Sequence, residues 1–86
     1  MHRTTARFWA SFGALPESVQ QLAREKFELL KADPRHPSLH CKKVGQLWSV
    51  RAGLSHRALA VPDGDDFIWV WIGPHDEYQR LIKNQG

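Results

Sequence analysis

"LWSVRAGLSHRALAV", residues 47–61, decides how this chain folds. Apolar and polar residues alternate on either side of Gly53-Leu54-Ser55, the pattern of two antiparallel strands joined by a tight turn. Successive side chains on a strand point to opposite faces. Trp48, Val50 and Ala52 therefore share one face, and Leu47, Ser49 and Arg51 share the other. A three-residue turn sets Arg51 opposite Arg57. Like charges directly opposite one another destabilise a sheet. Such a pair calls for an anion between the guanidinium groups, or for an Asp or Glu brought from elsewhere. A two-residue turn would shift the register and separate the arginines.

Working outward, "PDGDD" at 62–66 is the next turn. Phe67–Ile72 reads as a third strand, apolar on both faces and therefore central, stopped by Gly73-Pro74. Upstream, "DPRHPSLHCKKVGQ" at 33–46 reads as one loop. Before it, Val19, Leu22, Ala23, Phe27 and Leu30 form the apolar stripe of a helix, with Pro16 and Glu17 in its first turn and Asp33-Pro34 at its end. Phe8, Trp9, Phe12 and Leu15 recur at helical spacing, with Gly13 as a stop. Residues 2–5 read as a short edge strand. Asp76–Lys83 suits a C-terminal helix with Tyr78, Leu81 and Ile82 as its apolar positions. The order β-α-α-β-β-β-α predicts an α+β fold. A helical hairpin packs on one face of an antiparallel sheet, and the other face is open or half covered.

The 86 residues are expected to form a single domain, 1–86, with a small core that the four Trp and four Phe help to fill. Cys41 is the sole cysteine, so no internal disulfide forms, which fits a reducing compartment. No apolar run approaches the roughly 20 residues that span a bilayer. "MHRTTARFW" lacks the apolar core of a secretory signal. The expectation is a soluble, cytoplasmic protein without membrane association. Its net charge of +3 is unevenly spread. Pro34–Pro62 contains no acid but holds Arg35, Lys42, Lys43, Arg51 and Arg57, whereas Asp63–Gln79 holds five acids and no Lys or Arg. Such a basic segment suits a polyanion or an acidic protein partner. The plain alternative is a solvated surface whose charges pair across the fold.

If Ile68, Val70 and Ile72 pack under the helices, Phe67, Trp69 and Trp71 face the arginines. Aromatics beside arginines can stack bases and hold phosphates. Equally, Trp69 and Trp71 serve as core if the helices cover that face. His75 follows the central strand, where an imidazole can give or take a proton, and Tyr78 lies on its side if the helix begins near His75. Against this stands the plain reading of His75 as a surface side chain. His36, His40 and Cys41 have metal-ligand chemistry, but Pro37 breaks the helix that their spacing would need, and no C-x-x-C or H-E-x-x-H motif is present. No metal or cofactor is expected. Basic neighbours could lower the Cys41 pKa, yet no acyl-transfer motif accompanies it. RNA cleavage needs less equipment. The 2′-hydroxyl beside the scissile phosphate is the nucleophile, so proton transfer and positive charge at the phosphorus suffice.

The set formed by the W-S-x-R strand, the H-R-A strand, the apolar strand and the terminal G-x-H-x-x-Y resembles the RelE/ParE superfamily of bacterial type II toxin–antitoxin toxins. "LPESVQQLAREKFELLKADPRHPSLHCKKV" and "FIWVWIGPHDEYQRLI" extend the resemblance over nearly the whole chain. The resemblance implies a helical hairpin on a sheet and a cognate antitoxin, in a possible toxin–antitoxin hetero-oligomer. RelE-like members cut mRNA on the ribosome, and ParE-like members inhibit DNA gyrase. Arg57 matches the functional arginine of the second meander strand, and Arg51 a basic position in the first. His75 matches the C-terminal catalytic position, Tyr78 the nearby tyrosine, and Lys42 and Lys43 the lysines that precede the sheet. On this basis Arg51, Arg57, His75 and Tyr78 are the candidate catalytic residues. Lys42, Lys43, Trp69 and Trp71 are the candidate RNA contacts, with mRNA and the ribosome as targets. The glutamate base that one branch carries ahead of the sheet has no counterpart in Pro34–Pro62. A ParE-like gyrase inhibitor and a degenerate member that only binds a partner are the alternatives.

Overall fold

The sheet grows outward from the 47–61 hairpin. The computed structural model describes residues 2–83. Within them the elements run β1 (His2–Thr4), α1 (Ala6–Gly13), α2 (Glu17–Ala32), a 3-10 turn (Pro37–Leu39), β2 (Lys42–Val44), β3 (Leu47–Arg51), β4 (His56–Asp63), β5 (Asp66–Pro74) and α3 (His75–Lys83). The strand order is β1-β5-β4-β3-β2, with β1 parallel to β5 and every other pair antiparallel. The architecture is α+β, with α1 and α2 on one face and α3 over part of the other.

The central turn is the three-residue one. Ala52 N–H donates to the His56 carbonyl at 2.9 Å, and Arg51 stands opposite Arg57. Gly53 has φ 84°, a conformation that favours glycine. A Cβ there would also collide with Leu22 of α2, so the turn is wedged beneath the helix. Thr5 caps α1 by accepting from Phe8 N–H, and its hydroxyl donates to the Trp69 carbonyl, which ties the helix start to β5. The Gln20 amide closes the helical hairpin on the Phe12 and Leu15 carbonyls.

Two expectations need correction. Residues 33–46 are not a single loop, because Lys42–Val44 pairs with β3 as a short edge strand. Three residues, two of them lysine, carry almost no strand signal, although lysine on an edge is what discourages further pairing. Trp69 and Trp71 also do not share a face. Leu59 pairs with Trp71 but Ala60 pairs with Trp69, so Val70 is an extra residue in β5. This bulge reverses the alternation. Phe67, Trp69 and Ile72 turn toward α1 and α2, while Trp71 joins Leu59 and Tyr78 under α3.

Candidate functional site

On the α3 face, side chains follow the register in rows. One row runs Arg51–Arg57–Gly73 and the next Lys42–Ser49–Leu59–Trp71. The Trp71 indole lies back across Gly73, where any Cβ would overlap it. Gly73 therefore lets Trp71 lie flat at the end of β5 beside Arg57.

Arg57 is held from two sides. Its Nη1 donates to Ser49 Oγ at 3.3 Å, and its guanidinium lies 5.1 Å from the Tyr78 ring centroid. Ser49 is fully buried, so its hydroxyl is a fixed acceptor. Tyr78 in turn stacks on His75, with centroids 5.6 Å apart and planes 29° apart. His75 begins α3 and is pinned there, its N–H donating to the Ser55 carbonyl at 2.8 Å. The Gln79 amide, one turn along α3, lies 3.1 Å from His75 Nε2 and orients the ring. Arg57 of β4 and Tyr78 and His75 of α3 thus form one contiguous chain.

Arg51 turns the other way. Its Nε donates to the Gly53 carbonyl at 3.1 Å, and its Nη1 to His40 Nε2 at 3.2 Å. The paired arginines bond to different partners, Arg51 to Gly53 and His40 and Arg57 to Ser49. His40 sits in the left-handed region at φ 44°, an uncommon conformation for a residue other than glycine. Among the described residues no carboxylate lies within 4 Å of Lys42, Arg51 or Arg57. Asp63 and Asp66 meet Arg3 instead, at the opposite end of β4 and β5. Charge pairing across the fold therefore leaves this cluster positive.

The remaining candidates fall elsewhere. Lys42 shares the arginine face, but Lys43 pairs with Trp48 on the helix face. Trp69 is only 4% exposed on that same helix side, so its expected place beside the arginines is corrected. Its indole N–H donates to His2 Nδ1. Trp71 is on the arginine face but buried under α3, and Tyr78 is 2% exposed. Neither tryptophan offers an open stacking surface. Burial pushes the Cys41 thiol up, opposite to the lowering its basic neighbours would give. Among the described residues no three His, Cys, Asp or Glu side chains gather as a metal site. No described helix is long and apolar enough to cross a membrane.

No sequence-family model matches the chain, and no curated protein matches it. Solved structures do. A chain of the RelB–RelE antitoxin–toxin complex from Methanococcus jannaschii superimposes with a TM-score of 0.72 at 13% identity, over 92% of this chain and 96% of that one. A YoeB/ParE toxin from Agrobacterium tumefaciens gives 0.64 at 13% identity, over 86% and 96%. The isolated E. coli RelE toxin gives 0.62 at 11% identity, over 98% and 96%. The fold is that of the RelE/ParE toxins. Within this fold, three residues around the cluster escape a reading of the sequence: Ser49, His40 and Gln79. Ser49 alone left a signal, a small polar residue on the same predicted face as Arg51.

Proposed function

We propose that this chain is the toxin of a toxin–antitoxin pair and cuts mRNA on the ribosome without a metal ion. The observation that carries this reading is the Arg57–Tyr78–His75 chain at the edge of α3, with Arg51 in register and, among the described residues, no carboxylate within 4 Å of either guanidinium group. Arg57 binds the scissile phosphate and meets the charge that builds on it as the 2′-oxygen attacks. His75 handles one proton, either from the 2′-hydroxyl or to the departing 5′-oxygen, and solvent water handles the other. The products are a 2′,3′-cyclic phosphate and a 5′-hydroxyl end. Tyr78 is too buried to touch RNA and acts as a positioning residue between Arg57 and His75. Arg51 and Lys42 hold flanking phosphates. A cognate antitoxin with acidic side chains would compete for the same arginines, and the complexes formed by relatives of the same fold support such a partner. The setting is the cytoplasm.

The test is induction of the chain without an antitoxin, followed by mapping of message ends. Truncated messages with 5′-hydroxyl ends are expected, and R57A and H75A should abolish them. Broken DNA with intact messages would assign gyrase inhibition instead. Unaffected growth with intact messages would leave only partner binding.

A further inference from the structure

The helix-side core does not close. Leu30 is the buried residue of α2, and the small side chains Ala52 and Ala58 are among those that line the space beside it. Between them lies a cavity of about 360 Å³, walled by Phe8, Phe12, Phe27, Val50, Trp69 and Ile72. Protein interiors hold few voids larger than a water molecule. An apolar cavity of about 150 Å³ already takes up benzene, and small-molecule pockets begin near about 300 Å³. The present cavity is in that second range, inside a domain with little core to spare.

Its mouth is charged. The Arg24 guanidinium lies 5.0 Å from the Phe12 ring centroid, and Lys26 stands beside it among the lining residues. Among the described residues neither has an ion-pair partner, while Glu28, the acid at the mouth, is bound to Lys31 at 3.0 Å. The wall itself is aromatic. Phe8 meets Trp9 at 87° and Trp9 meets Phe12 at 77°, both edge to face. Rings arranged this way accept a further ring by the same edge-to-face attraction. A guest with an aromatic body and one anionic group matches both wall and mouth.

We propose that this cavity binds a small aromatic carboxylate, its ring held between the helical hairpin and the sheet and its carboxylate at Arg24. The site is on the opposite face of the sheet from Arg57 and His75, so it stands or falls separately from the nuclease reading. Titration of the purified chain with naphthoate, read by tryptophan fluorescence because Trp9 and Trp69 line the cavity, tests it. Saturable one-to-one binding is expected. R24Q should weaken it about tenfold, and naphthalenemethanol, which lacks the charge, should bind the unmodified chain no better than naphthoate binds R24Q. A58L fills the cavity from the sheet and should abolish binding. A23L fills it from α2 and serves the same purpose should A58L not fold. A linear, unsaturable response would overturn the proposal. So would equal binding by the filled variants and the unmodified chain, or tighter binding of decanoate than of naphthoate.

Discussion

Arg57 stands opposite another arginine and is held by a hydroxyl and a ring rather than by an acid. The planar guanidinium suits both contacts, since it can lie over Tyr78 while one nitrogen reaches Ser49. A lysine at this position keeps the charge but loses the fork. R57K is therefore expected to lose most of the message cleavage that R57A loses, about a hundredfold or more by analogy with removal of one transition-state donor. Primer extension on an induced message measures it. Tyr78 separates two roles. Its hydroxyl is buried with no hydrogen-bond partner among the described residues, and such a group costs about 1–3 kcal/mol. Y78F keeps the ring beneath Arg57 and His75 and removes that cost. It should cleave normally and unfold at a higher urea concentration, by about 1 kcal/mol. Loss of cleavage in well-folded Y78F would show that the phenol itself enters the reaction.

At the scale of elements, the register of the 47–61 hairpin was legible because turn length and alternation both act locally. The bulge at Val70 was not. "FIWVWI" is apolar at every position, so nothing in it marks where the alternation reverses. For that reason the alternation leaves Trp69 open between the arginine face and the core it joins, while Arg51, Arg57 and His75 lie on strands and helix ends with clear local signals. The Gly53 turn makes a test of its own. Its φ of 84° and the Leu22 side chain above it both exclude a Cβ. G53A should cost about 1–3 kcal/mol in urea unfolding, and a smaller loss would mean that α2 rises freely off the turn. β1 is clasped to its neighbours by His2, which accepts from Trp69 and packs against Phe27 and Phe67. Burial, chiefly, holds the His2 imidazole below its usual 6.5. A folded value below the unfolded one means that the unfolded chain binds more protons. The contribution is thus present above 6.5 and is lost as pH falls through the lower folded value. Stability should fall as pH drops below about 6.5, and H2Q should show a shallower fall in paired urea titrations.

For the whole molecule, the deciding feature is how charge is divided between the two faces of the sheet. The basic segment looked like a single run in the chain, but β2 splits it. Lys42 is directed with Ser49 toward the arginines, and Lys43 with Trp48 toward the helices. Neighbouring lysines of equal charge therefore make a control for one another. If RNA lies along the α3 face, Lys42, Arg51 and Arg57 together contact about three phosphates. Each neutralised phosphate on a single strand contributes about −0.7 to the slope of log affinity against log salt. The unmodified chain should show a slope of about −2, with K42A shallower by about 0.7 and K43A unchanged. Fluorescence anisotropy with a short labelled RNA over a range of salt measures all three. Equal loss of slope in K42A and K43A would mean that the RNA wraps the β2 edge and touches both faces. The flat α3 surface would then be only part of the interface, and the arginine row would mark one end of the RNA path rather than its centre.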